Sequence, residues 1–270
     1  MIQVGVAIRK VFCTGGLLTA LLAVSGCAAG GAKVEGKIGV VDPARVLNET
    51  ITYSNPTVGA PDLIKKQIGH QTTTGFRTTL TRDTRDYYMD PRSGWRTAVG
   101  FDLGTPYLGG SNNFYKYYLD VIKYTPLPYD TRFAIRVRYG AAVGIEGHPI
   151  PLTERYFVGG INTMRGFVFG RAGPVTSSNS LLGATKQLIF NNDFIFTISS
   201  DAKLNGVIFF DYGKGFNDNE PLSSKLRKTV GLEGRWISPF GPLRAAYGIN
   251  LEPNPGERKG VFEFTIGSLF

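Results

Sequence analysis

Arg132-Phe133-Ala134-Ile135-Arg136-Val137-Arg138-Tyr139 is the stretch that decides the fold class. Its odd positions, Phe133, Ile135, Val137 and Tyr139, are apolar or aromatic, and its even positions carry three arginines and an alanine. A period of two belongs to an extended strand, whose side chains alternate between two faces. Three arginines on one face cannot be packed into a hydrophobic core, because burying unpaired charge costs far more than burying apolar surface returns. The strand therefore has one apolar face and one wet, charged face.

The same alternation extends outward in both directions. After Gly94, Trp95, Thr97, Val99, Phe101 and Leu103 share one face, with Arg96, Ala98, Gly100 and Asp102 on the other. Further alternating segments occupy residues 71–82, 114–125, 185–198, 205–213, 227–238, 242–251 and 260–270, separated by Gly, Pro, Asn and Asp turns. A soluble β-sandwich also alternates, burying its apolar faces and exposing its charged ones. Phe and Tyr gathered near the strand ends, together with a mean hydropathy of -0.05, favour a membrane barrel, in which only every second residue meets lipid. The expected fold is all-β: a partial antiparallel transmembrane β-barrel of about nine strands after an N-terminal signal segment.

Residues 1–27 read as an export signal. Arg9 and Lys10 precede an uncharged run from Val11 to Val24, too short for a membrane-spanning helix, which needs about 20 residues. Its end, Leu22-Ala23-Val24-Ser25-Gly26-Cys27, resembles a bacterial lipoprotein box, in which Cys27 is acylated; an ordinary signal cut near Ala28 or Ala29 is the alternative. Both readings place the remainder outside the cytoplasm. The two cysteines, Cys13 and Cys27, lie in this leader, so no disulfide framework is available to the body of the chain. The net charge of +9 is spread as single basic residues with no long basic run, which argues against nucleic acid as a partner. His70 and His148 have neither metal-ligand spacing nor a local catalytic motif, so no catalytic residue, metal or cofactor is assigned and the chain is not expected to be an enzyme.

Three motifs carry a family resemblance. Glu154-Arg155-Tyr156-Phe157-Val158-Gly159-Gly160-Ile161-Asn162-Thr163-Met164-Arg165-Gly166-Phe167, followed by Gly173-Pro174, resembles the signature loop of the BamA family of outer-membrane assembly factors, also called the bacterial surface antigen family. Asp83-Thr84-Arg85-Asp86 with Asp90-Pro91 and Gly94-Trp95 is similar to the hairpin before that loop, and Thr185-Lys186-Gln187-Leu188-Ile189-Phe190 to the strand after it. The resemblance implies that Met164, Arg165, Gly166 and Phe167 form a tip folded back into the barrel lumen. It also places acidic partners for the arginine at Asp211 and Asp193, where an aspartate stands for the more usual glutamate; strand parity independently sends both acids inward. The final stretch, with Phe262, Phe264, Ile266, Gly267 and Phe270, resembles the C-terminal sorting signal of outer-membrane barrels. Residues 37–50 are similar to the start of the periplasmic chaperone Skp, or OmpH, without the heptads of its coiled-coil arms.

The expected organisation is a signal over residues 1–27, a Skp-like stub and linker over 28–70, and the C-terminal part of a barrel over 71–270. The resemblance implies a bacterial outer-membrane location and a role in barrel insertion through a weak seam between first and last strands. Partners would be outer-membrane lipids, unfolded barrel clients and other subunits of the assembly machinery. Members of that family have sixteen strands preceded by POTRA domains, so a non-autonomous fragment or fusion is one expectation. A passive pore or a structural outer-membrane lipoprotein is the alternative. If Cys27 is acylated, fatty-acid labelling of the expressed protein disappears in Cys27→Ala; unchanged labelling, or a mature terminus beyond residue 27, would remove the lipoprotein reading.

Overall fold

The computed structural model describes residues 41–53, 69–176, 180–239 and 241–267. They form one antiparallel sheet in which each strand pairs with its chain neighbour. The strands are β1 (Val41–Tyr53), β2 (Gly69–Asp83), β3 (Gly94–Gly104), β4 (Phe114–Leu127) and β5 (Thr131–Gly144), then β6 (Lys186–Ser199), β7 (Leu204–Phe216), β8 (Arg227–Ser238), β9 (Gly241–Asn250) and β10 (Gly260–Ile266). The leader with Cys27, residues 28–40, the junction 54–68 and Phe270 lie outside the described residues.

The nine strands expected after residue 71 are β2 to β10. A tenth, β1, falls in the stretch read as a chaperone-like start, where Val46↔Phe76 and Thr50↔Thr72 are among its pairs with β2. The sheet thus reaches further towards the N-terminus than the alternation suggests. The reason is local: the register shifts between Asp42 and Arg45, and Pro43 and Ala44 sit in that irregularity. Proline cannot donate a ladder hydrogen bond and is tolerated at bulges, where the extra residues break the period of two.

Alternation sorts the side chains as expected. Phe101, Ile135, Phe210, Leu232, Phe262 and Phe264 are exposed on one face, whereas Asp102, Arg132, Asp193, Phe209, Asp211 and Glu233 are buried on the other. An exposed apolar face this extensive is incompatible with water and marks contact with another apolar phase. No helix among the described residues is long and apolar enough to cross a membrane. Outward aromatics pair across strands: the Phe190 and Tyr212 rings stack with centroids 4.4 Å apart.

The inward face is concave. Asp90, in the turn between β2 and β3, meets Arg132 on β5 and accepts from Asn205 Nδ2 on β7 at 3.1 Å. Strands lie ~4.8 Å apart, so β7 would be ~19 Å from β3 in a flat sheet; such reach is what curling provides. Tyr118 on β4 lies across Gly100 on β3, where a Cβ would come within 2.0 Å of the ring, and its hydroxyl reaches Thr79 Oγ1 on β2 at 2.8 Å. The three inward arginines of β5 separate by partner. Arg132 meets Asp90, and Arg136 makes a two-point contact with Asp120 at 2.8 and 2.5 Å. Arg138 donates to the carbonyls of Asn162 and Thr163 and to Asn191 Oδ1.

Phe210 sits mid-strand on the outward face, so Phe210→Arg should lower the unfolding free energy in phospholipid vesicles by about 2–4 kcal/mol. A loss below about 0.5 kcal/mol, as at a solvent-exposed surface position, would show that this face does not meet lipid.

Candidate functional site: the lumen loop and its acidic seat

The connection between β5 and β6 spans residues 145–185 and folds inward. Its base is closed by a two-way backbone bond pair between Tyr156 and Ala184, with N to O distances of 2.8 and 2.7 Å. The loop then packs on itself: the Ala172 N–H donates to the Val158 carbonyl at 2.9 Å, and the Thr163 hydroxyl accepts from the Gly159 N–H at 2.8 Å. Val158, Met164, Phe167 and Ala172 form a small apolar cluster with Ile189 of β6, and Met164 and Phe167 are buried in it. Two apolar residues flanking Arg165-Gly166 therefore fix the tip while the arginine projects from between them.

A second tie holds the loop's base. Glu154, in a short 3-10 turn over Leu152–Glu154, is buried and meets Arg77 of β2 at 3.5 Å and Lys116 of β4 at 3.3 Å. The loop is thus charge-paired both to the early strands and, through its tip, to the later ones.

Arg165 is 2% exposed. Its Nε and Nη2 donate to the two carboxylate oxygens of Asp211 at 2.9 and 2.6 Å, and its backbone N–H donates to Asp211 Oδ2 at 3.1 Å. Nη2 also reaches Asp193 Oδ1 at 2.6 Å, and Nη1 reaches Glu233 Oε2 at 2.6 Å. The guanidinium lies 3.9 Å from the Phe209 ring centroid. Burial by itself works against the charged form, yet Asp193 and Asp211 more than offset it, so this loop guanidinium holds its proton well above the ordinary arginine range.

Strand register builds the seat. Asp193, Phe209, Gly231 and Gly248 are successive cross-strand partners on β6, β7, β8 and β9. The acid binds Arg165 and the ring stacks on it. Gly231 leaves room for that ring, since a Cβ there would come within 2.5 Å of Phe209. Gly248 meets the tip itself: a Cβ on it would lie 2.5 Å from the Gly166 Cα. Gly166 has φ +85°, a left-handed conformation that glycine adopts without strain. Both glycines are therefore required, one by its backbone angle and one by close approach.

The two acids expected from parity stand at Arg165, and three further charged residues join them. Glu233 binds Arg165, Arg235 at 2.7 Å and Arg244 at 2.6 Å; Arg235 also reaches Asp193 Oδ2 at 2.6 Å. Arg244 in turn donates to the Ile161 carbonyl at 3.2 Å, so β9 grips the loop backbone. Parity could have placed Glu233 inward, as Leu232 and Gly234 flank it, but Arg235 and Arg244 are direct cross-strand partners of like charge. That pairing is acceptable only because Glu233 lies on both. The C-terminal motif lies on the last strand of the sheet: Phe262, Phe264 and Ile266 are exposed outward on β10, and the Gly267 N–H donates to the Pro242 carbonyl at 2.8 Å.

Because every acid of the seat is buried, removing one partner strands the others, at a cost of about 3–5 kcal/mol. Arg165→Ala and Asp211→Ala should each raise chymotrypsin cleavage at Phe167, and the double variant should be little worse than either; additive effects would mean that the two do not act as a pair. Comparison with known proteins places this geometry. The Omp85 superfamily domain model matches residues 39–270. The outer membrane protein assembly factor BamA of Nitratidesulfovibrio vulgaris is 32% identical over 216 residues, covering 78% of this chain and 27% of that protein. BamA of Neisseria meningitidis is 23% identical over 226 residues, 70% of this chain and 28% of its own length. The chain thus spans little more than a quarter of these relatives. In fold, it is similar to the crystal structure of BamA from Haemophilus ducreyi lacking POTRA domains 1-3, with a TM-score of 0.67, 18% identity and coverage of 82% of this chain and 49% of that one. The chain belongs to the Omp85 superfamily and carries the C-terminal part of a BamA-like outer-membrane barrel.

Proposed function

We propose that this chain acts in the insertion of β-barrel proteins into the bacterial outer membrane, with its locked loop holding the barrel wall in an insertion-competent shape. The buried contact of Arg165 with Asp193, Asp211 and Glu233 supports this reading most directly. A passive pore gains nothing from three acids spent on seating a loop across its lumen. Among the described residues β10 pairs with β9 alone, which leaves a strand edge. An exposed edge can take an incoming strand by main-chain hydrogen bonding, with alternate side chains setting specificity. The outward Phe262, Phe264 and Ile266 beside that edge would share the lipid phase with an incoming client strand.

In this reading the role is non-catalytic, and the partners are unfolded barrel clients, outer-membrane lipids and other assembly subunits. The leader exports the chain, Cys27 anchors its start by acylation, and the Asp193, Asp211 and Arg165 contacts serve as loop anchors. Phe262 to Phe270 serve as the signal by which this barrel is itself recognised.

Reconstitution of the full chain in phospholipid vesicles should speed the folding of a small client barrel, measured as heat-resistant migration on a gel, by at least about tenfold, or about 1.4 kcal/mol of barrier. Arg165→Ala should lose most of that gain. Folding no faster than in empty vesicles would reject the assembly role, and steady ion conductance in a planar bilayer, unchanged by Arg165→Ala, would instead favour a pore.

A further inference from the structure

A cavity of about 30 Å³ lies between the loop tip and the barrel wall, and its lining includes Arg136, Arg138, Arg165, Arg235, Arg244 and Asp193. Five guanidiniums around one small space repel one another unless matched by negative charge. Four carboxylates bind them: Asp120 on Arg136, Asp193 on Arg165 and Arg235, Asp211 on Arg165, and Glu233 on Arg165, Arg235 and Arg244. Four of the five guanidiniums therefore have a carboxylate partner. The residue without a carboxylate is identifiable, since the hydrogen bonds of Arg138 go to the neutral oxygens of Asn162, Thr163 and Asn191. Its Nε is buried with no hydrogen-bond partner among the described residues. A buried charged donor left unmatched is rare in native proteins and calls for an acceptor.

We propose that this cavity binds one small monovalent anion, chloride in the cell's surroundings, which lies among the guanidiniums and accepts from Arg138. The size agrees: the space suits a halide or about two waters. The sign agrees, because Arg138 hydrogen-bonds neutral oxygens alone and an anion supplies the acceptor its Nε lacks. The location gives the anion a consequence, since Asn162 and Thr163 carry the carbonyls that Arg138 holds and stand immediately before Met164 and Arg165. An anion bound there stabilises the seated loop over the released one and couples loop closure to halide concentration. The inference depends on the seating of the loop and not on assembly activity, so failure of the client-folding assay would leave it standing.

The test uses the full chain in detergent micelles, with sodium chloride exchanged for sodium gluconate at constant ionic strength. If only the seated loop binds chloride, the open population falls by a factor of one plus the ratio of chloride to its dissociation constant. At ten times the half-saturating concentration, chymotrypsin cleavage at Phe167 should therefore slow about tenfold relative to gluconate. Arg138→Gln, which removes the unmatched charge, should make cleavage indifferent to the salt. The wild-type chain should also broaden the chlorine-35 resonance, with bromide displacing the effect, a readout that stands even if Arg138→Gln fails to fold. Equal cleavage in the two salts and an unbroadened resonance would mean a cavity filled by water alone and would overturn the proposal. A full chloride response retained in a folded Arg138→Gln variant would place the anion elsewhere and overturn the site.

Discussion

A guanidinium taken almost wholly out of bulk water is the constraint on which the rest of this structure depends. Removing an ion from water carries an effective penalty of several kcal/mol, and Arg165 is buried inside a sheet whose outer face is apolar. The position is tolerable only because carboxylates from three consecutive strands converge on it. Those carboxylates are themselves buried and bring further arginines with them, so the charge network grows until its members satisfy one another. The lumen is filled by mutually dependent ions, a different kind of interior from the dispersive packing of a soluble core.

Shape matters as much as charge in this arrangement. The row from Asp193 through Phe209 to Gly231 and Gly248 passes from an acid and a ring to bare backbone, and the loop tip lies against Gly248. The aromatic ring takes the flat face of the guanidinium, a favourable cation–π geometry. Met164 and Phe167 then hold the tip by ordinary apolar burial, independent of the ions. Electrostatics selects the place and packing fixes the orientation.

Much of this was legible in the residues, and the exceptions have physical causes. Alternation in segments such as Arg132 to Tyr139 is enough to separate lipid-facing from lumen-facing positions, because a strand offers only two faces. The same parity locates Asp193 and Asp211. It did not locate β1, since Pro43 at a bulge interrupts the period, and it passed over Glu233, whose importance arises only when strands β8 and β9 are set side by side. Arg235 facing Arg244 looks unfavourable as a pair and makes sense as part of a triad. The grip of Arg138 on loop carbonyls depends on the path of a forty-residue connection, roughly, for which local sequence rules give no trajectory.

The origin of the seat in three separate strands has a consequence for how the barrel comes to be made. A one-residue slip in strand pairing turns every side chain to the opposite face. A slipped β7 would carry Asp211 into lipid, and a slipped β8 would do the same to Glu233, leaving the arginine without its counter-ions. The tip can therefore dock only after β6, β7 and β8 have found their correct alignment. Docking thus reports on registration, because the counter-ions of Arg165 converge only when all three strands are aligned.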